Sequence, residues 1–176
     1  MKQLKRFLAL VLVGVLALTV LTGCGSTNST FGTEAEKQMV AAINSVRSEN
    51  TLPLTNDSTL RAKCAEALLK IDNEGKIYLK DTESSEVTRG DGSITVVVIM
   101  VATTPTYKPE YIKLHPNQKV NAMVVTPSDL VDVTPSIEDA DDQEFYDSLE
   151  AFGVATRNIK GKTYIAMAMK VTKTKK

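Results

Sequence analysis

Apolar residues recur at Met39, Val40, Ile43 and Val46, the spacing of one helix face, and predict a first helix over about 34–49. Thr33 and Glu36 stand three apart at its start. That is the form of a capping box, in which a hydroxyl and a carboxylate satisfy free backbone amides. Pro53 breaks the pattern within 50–56, and Asp57 is placed to cap a second helix whose stripe is Leu60, Cys64, Leu68 and Ile71. Gly75 is placed to end that helix. At 93–102 the period changes, because SITVVVIMVA is a dense β-branched run between turn signals and reads as a buried strand. It is too short to cross a membrane. Further strands are expected at 111–114 and 120–126, joined by proline-punctuated connections at 104–109 and 127–135. The acidic segment 137–151 carries a weak helical stripe of Phe145, Leu149 and Phe152. Two strands, 152–159 and 163–171, then flank Lys160-Gly161, where glycine supplies the positive φ of a tight hairpin. No internal repeat appears.

The N-terminus has a different pattern. Lys2, Lys5 and Arg6 precede an uncharged apolar run at 7–20, the length of an export signal rather than of a membrane span. The run ends in Leu21-Thr22-Gly23-Cys24, which resembles the bacterial lipobox. The resemblance implies a signal peptide over 1–23, lipidation (palmitate) of Cys24, and a membrane-anchored lipoprotein on the extracytoplasmic face of the cell membrane. Each buried methylene contributes about 0.8 kcal/mol, so two acyl chains hold a protein durably where one is marginal. Residues 24–33 are small and polar and read as a lipidated tether that spans roughly 17 Å as a flexible coil.

Removal of 1–23 takes three basic side chains from a balance of 21 basic and 21 acidic, leaving −3 on 153 residues. Such a chain lacks the concentrated basic charge of a nucleic-acid binder. A single domain of this length buries about 68–70% of its unfolded surface without staples. With Cys24 lipidated, Cys64 is the one cysteine left, so no internal disulfide is expected. On the apolar face of the second helix, Cys64 reads as a small core residue rather than a reactive thiol.

The stretch at 43–57, INSVRSENTLPLTND, and the closing FGVATRNIKGKTYIAMAMKV carry a resemblance. The chain resembles the CAP or SCP-like superfamily: cysteine-rich secretory proteins, antigen 5, pathogenesis-related 1 proteins and their bacterial relatives. Asn44, Arg47, Leu52, Pro53, Leu54, Asn56, Asp57, Leu60 and Cys64 fall where that family has its first helix, "G-L-P-x-L" turn and second helix. The similarity covers 36–72 and, loosely, 150–171. It implies a three-layer α/β/α sandwich. Members with the complete site also carry two histidines and carboxylates around a cavity able to hold a divalent metal. Here Ala67 occupies the usual histidine place in the second helix, Val87 stands before a T-R-G-D-G-S run that echoes the family's T-R-P-D-G-S, and no G-E-N or G-H-R occurs. The resemblance therefore carries the fold and none of the site.

Candidate chemistry is sparse. His115, the only histidine, precedes Pro116 and reads as a turn residue, since a catalytic or metal role needs a second ligand or an orienting carboxylate. Glu138, Asp139, Asp141, Asp142 and Glu144 form an acidic cluster without the glycine and closing glutamate of the familiar calcium loop, and suit a solvated helix start. With His115, Asp139, Asp141 and Asp142 are the metal candidates. Arg89-Gly90-Asp91, a tripeptide of integrin ligands, is placed in a polar loop. Lys170, Lys173, Lys175 and Lys176 make a basic end, with 173–176 as a tail that could meet anionic lipid or wall polymer. No catalytic or nucleotide-binding motif appears.

These readings predict an α+β domain over 34–172: a CAP-like three-layer α/β/α sandwich, two N-terminal helices on a mostly antiparallel sheet with a C-terminal hairpin. It is expected at the bacterial cell surface, anchored through Cys24, as a non-catalytic binding or interaction module without cofactor or nucleic acid. The alternative expectation is an exported metal-dependent hydrolase with a site near His115 and the 138–144 cluster.

Overall fold

The computed structural model describes residues 28–130, 135, 137 and 139–174. Cys24, the lipobox residues Leu21, Thr22 and Gly23, Glu138, Lys175 and Lys176 lie outside them. The described elements run α1 (Asn28–Ser45), α2 (Ser58–Leu68), β1 (Lys76–Tyr78), β2 (Glu83–Gly90), β3 (Ser93–Val101), β4 (Thr103–Thr104), α3 (Pro109–Leu114), β5 (Lys119–Ala122), β6 (Val124–Val125), α4 (Ala140–Ser148), β7 (Leu149–Ile159) and β8 (Lys162–Thr174). Short 3₁₀ turns occupy Leu79–Asp81 and Pro127–Leu130. The chain is thus a mixed α and antiparallel β structure. No helix among the described residues is long and apolar enough to cross a membrane.

The long strand β8 organises the main sheet. On one side it pairs with β3 over 166–174 and with β6 at Thr163 and Tyr164; on the other it pairs with β7 over 162–171. Since β2 pairs with β3, the two outer strands are β2 and β7. The β7–β8 turn has φ of 50° at Lys160 and 82° at Gly161, positive at both central residues as a tight hairpin requires. A second sheet, β1-β5-β4, is smaller.

Strand alternation divides the core between the two faces of the main sheet. Val98 and Met100 of β3, Phe152 and Val154 of β7, and Ile165, Met167 and Met169 of β8 face α1 and α4, meeting Ala35, Met39, Ile43 and Tyr146. Ile99 and Val101, Ala155 and Ile159, and Tyr164, Ala166 and Ala168 face α2 and the small sheet, meeting Leu60, Cys64, Leu68, Ile77 and Val120. Gly153 also faces α2, because it stands opposite Ala168.

Three elements depart from the expectations. Helix α1 begins at Asn28, so part of the segment expected as a tether is helical and Thr33 is interior rather than a cap. Glu36 does not close a capping box, because β7 and α2 supply it with stronger partners, described below. Residues 111–114 form helix rather than strand: Pro109 opens α3 in its first turn, where a missing amide costs nothing, and Ile112 turns inward. Gly75 lies in the turn before β1, with α2 already ended at Leu68. The Asp57 cap is as predicted, its side chain accepting from Leu60 N–H at 2.8 Å.

Candidate functional site

Within the 43–57 stretch the side chains of Asn44, Arg47, Thr51, Asn56 and Asp57 are engaged with backbone. Asn44 acts as a strand residue would, its Nδ2 donating to Leu54 O and its Oδ1 accepting from Leu54 N–H, both at 2.8 Å. Arg47 donates through Nη1 to the carbonyls of Tyr146 and, at 3.1 Å, Leu149, and through Nη2 to Leu52 O at 3.2 Å. Its planar fork thereby joins the end of α1 to the α4–β7 junction. Ser48 donates its N–H and hydroxyl to the Asp147 carboxylate. Burial pushes the Asp147 pKa up, but the Ser48 and Gln143 hydrogen bonds and the Arg47 charge together hold it below the usual range.

Next to this stretch lies a sealed sheet edge. Asp57 N–H donates to Phe152 O at 2.9 Å, and the Asn56 amide exchanges two bonds of 2.9 Å with Val154 N–H and C=O. Glu36 accepts from Thr156 N–H at 3.0 Å, from its hydroxyl at 3.2 Å, and from Asn56 at 3.3 Å. Arg61 closes the network, its Nε 2.7 Å from Glu36 Oε2, an interaction that raises the Arg61 pKa. Glu36 is only 6% exposed, so its partners are what make the burial of a carboxylate tolerable. A hydrophobic pattern carries no signal for this role. The clue in the sequence is a carboxylate one residue after Ala35, on the edge of an apolar face.

The candidate chemical residues are dispersed. His115 terminates α3, its backbone N–H donating to Tyr111 O at 3.0 Å and its ring 4.4 Å from the Tyr111 ring. It lies between a helix and β5, not between two strands. Asp139 caps α4, accepting from the N–H groups of Asp141 and Asp142 at 2.9 and 3.0 Å. The cluster therefore forms a helix start. Phe145 and Tyr146 of α4 pack on the α1 side of the main sheet, whereas Ile112 of α3 packs on the α2 side. The structure does not bring His115 together with Asp139, Asp141 and Asp142. Among the described residues no group of three or more histidine, cysteine, aspartate or glutamate side chains is disposed to hold a metal.

Other singled-out residues also fall in separate places. Arg89 and Gly90 end β2, and only Asp91 stands in the turn, so the tripeptide is largely strand rather than loop. Cys64 is fully buried with Sγ 3.5 Å from Gly153 O, and burial first, then the Glu36 charge, pushes its pKa up to about 12. Ala67 is packed on the α2 side, and Val87 is exposed on β2. Lys170 pairs with Glu150 at 3.1 Å, and Lys173 belongs to β8 rather than to a tail.

One surface collects groups suited to recognition, and sequence patterning did not single it out. Lys80 and Lys119 place Nζ 5.3 and 5.2 Å from the centre of the Tyr78 ring. Beside them the Tyr107, Tyr111 and His115 rings lie in series, the first pair stacked and the second tilted by 38°, and Tyr111 Oη donates to Gln118 at 3.0 Å. Lys119 also bonds Asp72 at 2.7 Å. This bond and the N–H of Lys76 draw the Asp72 pKa down to about 2. The sequence signal was a single apolar Ile77 between Lys76 and Tyr78, a three-residue pattern too short to interpret. Comparison with family models, with characterised proteins and with solved structures gave no match.

Proposed function

We propose that the chain is a lipid-anchored extracytoplasmic protein whose domain is a degenerate CAP-like three-layer α/β/α sandwich, acting as a non-catalytic binding or interaction module. The observation that carries the non-catalytic reading is the separation of its candidate chemistry: His115 and the 139–142 carboxylates belong to helices packed on opposite sides of the main sheet. Catalysis by an imidazole needs its partners within hydrogen-bond reach of one reacting centre. Support for the sandwich comes from helices on both faces of the sheet and from the closing β7–β8 hairpin. The Tyr78–Lys80–Lys119 surface with its neighbouring rings provides a binding face, where aromatic rings give contact area and the lysines give charge.

The anchor rests on Lys2, Lys5, Arg6, the 7–20 run and Cys24. Metabolic labelling with a palmitate analogue tests it. The wild-type chain is expected to take up label and sediment with membranes, and Cys24→Ala is expected to take up none. Equal labelling of both would exclude Cys24 as the attachment point.

A further inference from the structure

The two outer strands of the main sheet are finished differently. Outward-facing peptide groups of β7 at Phe152, Val154 and Thr156 meet Asp57, Asn56 and Glu36. In contrast, β2 pairs with β3 without a bulge from Glu83↔Met100 to Gly90↔Ser93, and every side chain from Ser84 onward is exposed. Val101 N–H donates to Thr82 O at 2.8 Å, which fixes the alternation of this ladder. Even-numbered β2 residues turn their peptide groups to β3, and Glu83, Ser85, Val87 and Arg89 turn theirs outward. Among the described residues these four make no outward backbone hydrogen bond. Natural edges are blunted by proline, charge, a bulge or shortness; β2 has no proline, lysine or bulge over eight residues, and its charged side chains are Glu83, Glu86 and Arg89.

We propose that β2 is a self-association edge: two copies pair through antiparallel β2 strands about a two-fold axis at Val87, which continues the sheet from one molecule into the other. Residue pattern selects this occupant and register. A two-fold perpendicular to the sheet pairs residues of the same face. Centred on Val87, it sets Val87 against Val87 and Ser85 against Arg89. Glu83 then stands opposite the partner's Asp91, a like-charge pair at the strand end that Arg89, diagonal to the partner's Glu83 and two residues before its own Asp91, is placed to offset. Val87, 54% exposed, ends a cross-strand row of Leu149, Val171, Val96 and Val87, so the pairing carries one apolar row through the axis. A shift that centres Glu86 opposes two like charges, and a shift that centres Thr88 sets Val87 against Arg89. Both lose the apolar contact.

Val87→Pro provides a selective test. The amide that proline removes points outward, so the β2–β3 ladder keeps its bonds while the proposed interface loses its central pair. Full chain in detergent is examined by density-matched sedimentation at high micromolar concentration, with circular dichroism of each variant. The expected result is a dimer for wild type and an association constant lowered about tenfold or more in Val87→Pro with an unchanged spectrum. If Val87→Pro fails to fold, the charge pair replaces it: Arg89→Glu is expected to weaken the dimer, and adding Glu83→Arg to restore it. A wild-type monomer overturns the proposal in favour of a different strand on this edge or none. A dimer indifferent to these changes overturns it in favour of another surface.

Discussion

The two faces of the main sheet solve one packing problem in opposite ways. Toward α1 the strands present Phe152, Val154, Ile165, Met167 and Met169, and the helix answers with Met39 and Ile43. Large, flexible side chains fill that space. Toward α2, beside the larger Ile99, Val101, Ile159 and Tyr164 of the same face, β7 and β8 present Gly153, Ala155, Ala166 and Ala168, and at Gly153 the helix lies almost on the backbone. A Cβ on Gly153 would stand 2.3 Å from Leu60 Cβ and 2.7 Å from Arg61 N. Close approach demands small residues, and it shields the Cys64 thiol. The α1 contact depends on volume being present, and the contact of α2 with Gly153 and the alanines of β7 and β8 on its being absent.

Adjacent residues on β7 separate these two modes. Phe152→Ala empties the α1 side and is expected to lower unfolding free energy by about 4 kcal/mol in urea titration. Gly153→Ala adds one methyl to the α2 side and is expected to cost about 3 kcal/mol, since helix backbone must move. A neutral Gly153→Ala would mean that α2 has room to yield and that both faces pack alike. Met167→Leu keeps volume on the adaptable face and is expected to cost about 1 kcal/mol or less. The smallest effect lies away from both faces, at Asp72. Its folded pKa of about 2 is below the ordinary carboxylate value near 4, so the Lys119 and Lys76 bonds add stability above about pH 4 that is lost as pH falls toward 2. Asp72→Asn is expected to flatten the acid limb of the stability–pH curve in that window, with a difference that shrinks in high salt.

Local rules were legible where one residue decides the geometry. Asp57 caps α2, Lys160-Gly161 turns the final hairpin, and the β-branched run at 93–102 becomes β3. Strand β2 was not legible, because ESSEVTRG is exposed on both faces and so has no apolar alternation to display. At 111–114, Tyr-Ile-Lys-Leu reads as alternating, yet Pro109 and the single inward contact of Ile112 make it helical. The polar network escaped for another reason. The sequence gives no distance between Glu36 and Thr156, which are 120 positions apart and meet only when β7 docks on α1. Asn44 and Arg47 were legible as parts of a motif. Their work, holding the 52–54 turn and the α4–β7 junction, needed the coordinates.

In the 43–57 stretch Asn44, Arg47, Asn56 and Asp57 are thus committed to architecture, and His115 and the 139–142 carboxylates stand apart. Calorimetric titration of the full chain with zinc and with calcium tests that claim most directly. No saturable heat is expected for wild type, and the same trace for His115→Ala. A stoichiometric wild-type signal that His115→Ala abolishes would contradict it and restore the metal-dependent hydrolase.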